Sequence, residues 1–476
     1  MPALPSKIFH SSFFATCLSA ILFYFSTGFY DYWLLTWLAP LPVCLYSLRS
    51  RTVETVPAAF TAFVLGATNQ FGYLPPLLFA GTTALNAASF ALSILLFRTT
   101  AHSSGWSFAP LAFAASWTAY EFVRSLLSSF GTFESLAYTQ AFNLPVIQLA
   151  SLTGIWGITF LLMLIPASLA VVWHNHRTGN PWRLPGLLAG SLLAAALLFG
   201  FCRLYLPADT PVVTIGLAAV PATREELRSQ DLETITASLH RYSRSVDALA
   251  AAGAQFVLLP EKIAFLSPAV RATGLSLLSQ AASTNQVTLI AGLSLQEEQL
   301  RNAVLVFAPD GSLIQSYFKQ HLLSPYESRY APGKDLALLA TGTAASTGIA
   351  ICKDMDFVQP AREYSRQGAG LLLVPALDFH TDGWLHARVA VLRGVEGNAA
   401  VVRAAQWGLL TVSDSRGRLL GTAVANDHAE TGLLTKVPLG GGYSLYSQFG
   451  DWLGWLCLLG TALVIFRLAT VVVKLL

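Results

Sequence analysis

Between Glu54 and Arg98 the chain carries no charged residue. A stretch so long and so apolar does not suit the surface of a water-soluble fold, and a helix crosses the hydrocarbon of a bilayer with about 20 apolar residues. Gly72-Tyr73-Leu74-Pro75-Pro76 interrupts the stretch, and glycine and proline there favour a turn. The segment therefore reads as a helical hairpin within a membrane. Composition agrees: 54% of residues are hydrophobic and 12% charged, far from the usual soluble balance.

About eight spans can be drawn on this criterion, at 9–28, 32–48, 57–73, 75–97, 107–127, 148–172, 185–205 and 452–473, the second being the weakest. Lys7, then Arg49 and Arg51, Arg98, Arg177 and Arg183, and Lys474 mark alternate ends, so the cations fall on one side. Both termini are then cytoplasmic and the long polar segment lies outside, which in a two-membrane bacterium means an inner-membrane protein with a periplasmic domain. The expected domains are 1–206 (seven helices), 207–448 (the water-facing domain) and 449–476 (the last helix). The first apolar run resembles a signal peptide, but no small-x-small site closes it and more apolar segments follow, so it is expected to remain as a helix. Phe14-Ala15-Thr16-Cys17 lies too early in that run for a lipid-attachment box.

The net charge of +3 is scattered and forms no basic block, which excludes a nucleic-acid surface. Cys17, Cys44, Cys202, Cys352 and Cys457 lack the spacing of a zinc site or a disulfide framework. Only Cys352 lies outside the hydrophobic segments.

Between 207 and 448, short β-rich runs alternate with amphipathic ones. Strands are expected at 212–220, 255–260, 287–295, 303–308, 314–318, 348–352, 371–376 and 399–405, and helices at 224–251, 267–283, 361–368 and 384–394. This pattern predicts a layered α/β domain with buried strands. Glu261, Lys319 and Cys352 each follow an apolar run directly, at the strand edges where such domains place their sites. Together they offer a base, a cation for an oxyanion and a thiol nucleophile, the set that acyl transfer needs. A free thiol has a pKa of about 8.5, so the expectation is a Cys352 sulfur held ionised between Glu261 and Lys319. A lone cysteine at a strand end also fits a small buried hydrophobe, and strand-end Glu and Lys are commonly solvated or paired. Residue types alone leave both readings open.

The wording around these residues resembles the nitrilase (carbon–nitrogen hydrolase) superfamily. Leu259-Pro260-Glu261 is similar to its general-base segment, Lys319-Gln320-His321-Leu322 to its K-x-H-L segment, and Gly348-Ile349-Ala350-Ile351-Cys352 to its nucleophile strand. With the flanking apolar segments, including Glu121-Phe122-Val123-Arg124 and the run from Gln148 to Gly157, the likeness extends over nearly the whole chain to the membrane-bound apolipoprotein N-acyltransferase family.

The resemblance implies a multi-pass α-helical bundle of about eight helices with an extramembrane nitrilase-like α-β-β-α sandwich. It also implies a triad of Glu261, Lys319 and Cys352, and a role for Glu327 in orienting the lysine or moving its proton. Arg393, Glu396, Arg403 and the turn Asp414-Ser415-Arg416-Gly417 match positions of structural kind. The implied reaction is ping-pong: a phospholipid gives its acyl chain to Cys352, and an amine, the α-amino group of a diacylglyceryl-cysteine lipoprotein, receives it. The alternative is a paralogue that acylates another amine or hydrolyses an amide. No metal or organic cofactor and no nucleic acid is implied, and the molecule is expected to be a monomer.

Three departures bear on substrate choice. Lys353-Asp354 stands where the family has Tyr-Glu, Gly131-Thr132-Phe133-Glu134 where it has Phe-Pro-Trp, and Gln406-Trp407-Gly408 where it has Asn-x-Gly. Lys353, Asp354, Glu121 and Arg124 are the candidate substrate-binding residues, since an ionisable pair in or beside a span is a functional candidate. The alternative for Glu121 and Arg124 is that, three apart on one helix, they satisfy each other.

Overall fold

Proline, glycine and capping groups set where the apolar half of the chain becomes helical. A computed structural model describes residues 11–103, 105–205, 210–340, 346–425 and 427–475, the last five by backbone alone. It divides into two units, Met1–Tyr205 with Asp451–Leu476, and Leu206–Gly450. The main helices of the first are Ser12–Ser26, Thr52–Gly66, Pro76–Ser103, Ala109–Leu127, Trp156–Thr178, Arg183–Tyr205 and Trp452–Leu475. Ser11 caps the first by accepting from the Phe14 amide. The Glu54 carboxylate accepts from the Arg51 amide at the head of the second. Gly179, at φ 76°, closes Trp156–Thr178 in the left-handed conformation. Thr52–Gly66 and Pro76–Ser103 pack on each other across the Gly72 turn, forming the hairpin.

Among the described residues, four helices are long and apolar enough to cross a membrane: Pro76–Ser103, Trp156–Thr178, Arg183–Tyr205 and Trp452–Thr470. The expected span at 32–48 is instead split into Trp33–Thr36 and Leu41–Ser47, because Pro40 and Pro42 cannot donate the backbone bonds that would join them. The expected span from 148 starts at Trp156, since Gly154 at φ 64° ends the short helix Ala150–Thr153. Arg98 donates to the Ser50 carbonyl through Nε and Nη2 at 3.1 and 2.7 Å, and Arg49 Nε lies 3.5 Å from His174 Nδ1. These cation-bearing helix ends thus share one end of the bundle. Lys7, the Lys474 side chain and the domain limit at 207 lie outside the described residues.

The second unit is built of strands. β1 (Val212–Ala219), β2 (Phe256–Leu258), β3 (Phe265–Leu266), β4 (Thr288–Gln296), β5 (Leu300–Phe307) and β6 (Leu313–Phe318) come first in the chain. They are followed by β7 (Leu338–Ala340), β8 (Ser346–Ile349), β9 (Ala369–Leu377), β10 (Ala400–Gln406), β11 (Leu409–Ser413), β12 (Leu419–Val424) and β13 (Thr431–Pro438). One sheet has the order β13-β1-β2-β4-β5-β6, with β3 on β4; the other runs β12-β11-β10-β9-β8-β7. At the heart of each, β1, β2 and β4, and β8, β9 and β10, are parallel.

Strands buried on both faces explain the continuous apolar runs. Ile215, Ile290, Leu371, Leu373 and Val402 meet between the sheets, while their neighbours Leu289, Ala291, Leu372 and Val401 face outward. Helices Leu232–Ala251 and Arg271–Asn285 cover the first sheet, and Ala361–Arg366 and Gly383–Gly397 the second. The result is an α-β-β-α sandwich. The helix expected from 224 begins at Leu232 because Asp231 caps it, accepting from the Thr234 amide at 2.9 Å. Strands β12 and β13 escaped the sequence reading because alternate residues stay exposed, so no apolar run marks them.

Candidate active site

The site forms where parallel strands end. Glu261 follows β2, Cys352 follows β8 and Asp378 follows β9. Lys319 follows β6, which runs with β4 because both are antiparallel to β5. All four therefore lie at one edge, beyond the carboxyl ends of the strands. The Glu261 amide crosses between the sheets to the Ala376 carbonyl at 3.2 Å. That segment lies so close to β4 that a Cβ on Gly292 would fall 2.3 Å from the Pro260 oxygen; only glycine fits.

Cys352 does not end a strand as expected. β8 stops at Ile349, and Cys352 opens a 3-10 turn, Cys352–Asp356, with φ 43°. A left-handed cysteine stores on the order of 1–3 kcal/mol of strain, which the neighbouring bonds must hold. Asp354 holds it. One carboxylate oxygen accepts from the Ile351 amide at 3.0 Å and the Tyr317 hydroxyl at 2.8 Å; the other accepts from the amides of Gln320 and His321 at 3.2 and 2.8 Å and meets His321 Nδ1 at 3.1 Å. The segment after Lys319 is thereby strapped to the turn that carries the thiol. Asp354 is fully buried and its oxygens face protein donors, so the expectation that it contacts substrate is corrected: it is a positioning residue.

Around the thiol lies an ionic cluster in which Glu261, Lys319 and Glu327 are each only 2–3% exposed. Lys319 Nζ sits 2.9 Å from Glu261 Oε1 and 3.0 Å from Glu327 Oε2. Asn302 Nδ2 bridges the two carboxylates, at 2.5 Å from Glu261 and 2.6 Å from Glu327. The Leu323 amide donates to Glu327 at 2.8 Å. Lys262, left-handed at φ 58°, pairs with Glu327 and lies 3.8 Å from Glu261 Oε1. Glu261 Oε2 is different: it is buried and has no hydrogen-bond partner among the described residues. Buried polar atoms are seldom left so, and here the free oxygen is the natural acceptor for a proton.

Burial pushes the Cys352 thiol well above the usual range, the Glu261 charge pushes it further, and Lys319 and Arg403 offset this only in part. This balance does not favour the expected ionised sulfur, because the cation beside it is already shared by two carboxylates. Burial would strip Lys319 of its proton, but Glu261 and Glu327 outweigh it and hold the ammonium well above the usual lysine range. Glu327 is likewise raised by burial and pulled down further by Lys319 and Lys262, which leaves it well below the usual carboxylate range.

Among the other expected site residues, Lys353 is buried, donates to the Leu322 carbonyl at 3.2 Å, and is held below the usual lysine range by burial against the opposing pull of Asp356. In the helical unit, Glu121 accepts from Trp117 Nε1, Ser135 Oγ, the Leu136 amide and Thr159 Oγ1 at 3.2, 2.6, 2.9 and 2.8 Å. Arg124 pairs with Glu134, one of the departing residues. The pair does not satisfy itself, and Glu121 is a buried tie among helices and loops rather than a substrate contact.

Arg393 and Glu396 pair beneath the Cys352 turn, where Arg393 Nε donates to the Met355 carbonyl at 2.9 Å. Arg403 grips both oxygens of Asp378, one residue beyond the Leu377 carbonyl that faces Cys352 Sγ at 3.8 Å. Asp378, Asp382 and His386 approach as metal ligands would. Arg403 already neutralises Asp378, and although burial works to lower His386, its hydrogen bonds to the Asp356 and Asp382 carboxylates outweigh that and raise it to about 10. This donor set is an ion-pair network. Asn302, Lys262 and Asp378 were missed in the sequence, although Asn302 stands out as an amide inside the apolar run of β5.

Residues 217–435 match the carbon-nitrogen hydrolase family model, and residues 19–168 match that of the apolipoprotein N-acyltransferase N-terminal domain. In both of its parts the chain resembles the apolipoprotein N-acyltransferase family. It is 28% identical over 389 residues to an apolipoprotein N-acyltransferase of Geobacter metallireducens, covering 74% of this chain and 73% of the relative. With the Haemophilus ducreyi enzyme it shares 25% over 419 residues, or 81% and 80% of the two chains. An omega-amidase of Xenopus tropicalis is 32% identical over 171 residues, 31% of this chain and 61% of the amidase. Members of the family thus match across both units, and the amidase over about a third of the chain. The chain is an enzyme of the nitrilase superfamily.

Proposed function

We infer that the chain N-acylates lipoproteins, moving a fatty acyl chain from a phospholipid through a Cys352 thioester to the α-amine of a diacylglyceryl-cysteine. The observation that carries this reading is the unpartnered Glu261 oxygen in a cluster whose cation also acts on a strained cysteine. The thiol proton passes to Glu261 as sulfur bonds to the ester carbonyl carbon. The carbonyl oxygen becomes an oxyanion stabilised by Lys319, a kind of contact worth roughly 10² to 10³ in rate. Collapse expels the lysophospholipid alkoxide, which takes the proton from Glu261. The amine then attacks the thioester, gives a proton to Glu261, and leaves as the amide while the thiol is restored.

Residues 1–206 and 449–476 form the inner-membrane part, as about eight spans by the apolar-length criterion, and 207–448 the periplasmic enzyme. The gathering of Arg49 and Arg98 at one end of the bundle supports this orientation. Holding the enzyme on the bilayer makes chemical sense, because donor and acceptor are both lipids.

The test supplies the purified protein with acyl-labelled phospholipid and a diacylglyceryl-cysteine peptide. One N-acyl peptide per lysophospholipid is expected. Free fatty acid with the peptide unchanged would overturn the acyltransferase reading in favour of hydrolysis.

A further inference from the structure

Lys262 has no place in the three-residue mechanism, yet its geometry ties it to the reacting groups. It occupies the left-handed region, where a side chain other than glycine is disfavoured. The Ile263 amide holds it there by donating to the Gly292 carbonyl at 2.9 Å. The turn sends Nζ back to Glu327 Oε1, 3.8 Å from Glu261 Oε1 and 4.8 Å from the centre of the Tyr330 ring. Tyr330 is itself fixed by a 2.8 Å hydrogen bond with Ser294.

The charge count explains what this arrangement does. Glu261 and Glu327 bring two negative charges and Lys319 brings one positive charge. Without another cation the buried cluster would be net negative and would take up a proton, as paired carboxylates do. That proton would fill the oxygen that has to receive the thiol hydrogen. Lys262 makes the count even.

We propose that Lys262 is a positioning residue of the acylation step: it holds Glu327 ionised and so leaves Glu261 as the one vacant proton acceptor for Cys352. This deepens the function inferred above and rests on its assignment of Glu261 as the base. The charged groups facing the two carboxylates are Lys262, Lys319 and, more distantly, Lys353; Cys352 faces Glu261 and Lys319 and in addition Arg403 and Asp378. Only Lys262 and Lys319 make ion pairs with the carboxylates among the described residues.

The experiment follows alkylation of Cys352 by iodoacetamide across pH in the detergent-solubilised full chain, read as the mass of the Cys352 peptide. Its acid limb reports protonation of the base and needs no knowledge of the acyl substrate. In Lys262→Met that limb is expected to move to higher pH by about 1 to 3 units, the usual effect of an opposite charge at this range, while Lys262→Arg keeps it in place. The double variant Lys262→Met/Glu327→Gln restores the charge count and is expected to bring the limb back towards the wild type. A limb that stays put in Lys262→Met, or falls in rate equally at every pH, overturns the proposal. If Lys262→Met does not fold, the double variant decides, since a limb far above wild type would contradict charge balance. Failure of the acyltransferase reading would show separately, as wild-type protein that alkylates normally but transfers no acyl chain.

Discussion

Two buried glutamates, one in each unit, differ in a way that separates structure from chemistry. Glu121 and Glu261 are equally hidden, each 2% exposed. Glu121 is surrounded by four neutral donors that occupy both of its oxygens. Glu261 has one oxygen held by Lys319 and Asn302 and the other left without a partner. A carboxylate with every lone pair engaged is a tie; one with a vacant buried oxygen can take a proton. Burial alone, which is the same for both, does not distinguish them.

The sharpest way to break this contrast is to remove each carboxylate charge in turn. Glu261→Gln is expected to slow acyl-enzyme formation by roughly 10² to 10⁴, the range for loss of a general base, as measured by single-turnover lysophospholipid release. Glu121→Gln in the same assay should stay within a few-fold of wild type. Next in size is Asp354→Ala, which unties the Lys319 segment from the Cys352 turn. It is expected to cost about 10² in the same rate, and full activity would mean that the strap does not position the thiol.

Glu121→Leu tests the other half of the contrast through stability. It strips buried donors of their acceptor, each worth roughly 1–3 kcal/mol when left unpaired, so the detergent-solubilised protein should unfold at a clearly lower temperature. An unchanged melting temperature would show that Glu121 ties nothing together. A separate expected effect concerns His386. Its folded-state pKa is raised to about 10, so its stabilisation is fully present below its unfolded value of about 6.5 and is lost as pH rises towards 10. Wild-type protein should lose stability between pH 7 and 10 more steeply than His386→Gln, and parallel curves would contradict the raised value.

Much of the site could be read from residue order because strand ends are visible in it. Apolar runs stop at Pro260, Phe318 and Ile351, and parallel topology brings the next residue of each to one edge. What residue order could not give is the balance of charge after burial. A glutamate, a lysine and a cysteine suggest an ionised sulfur until Glu327 is seen to share the lysine and burial to work against the thiolate. Asp354 was misread for a related reason: next but one to the nucleophile it looks like a substrate contact, and only the turn geometry shows its oxygens directed at Tyr317, Gln320 and His321. In the helical unit the hairpin between Glu54 and Arg98 was plain from the charge gap. The broken segment around Pro40 was not, since apolar content over 32–48 hides the two prolines that divide it.

The central claim is that Cys352 rests as a neutral thiol and gives up its proton only as the acyl bond forms. The infrared S–H stretch tests it most directly, in the difference between wild-type and Cys352→Ala protein at neutral pH. A Cys352 S–H band in the resting protein that vanishes when phospholipid forms the thioester is the predicted result. Absence of that band from the resting protein would show a standing thiolate and contradict the account.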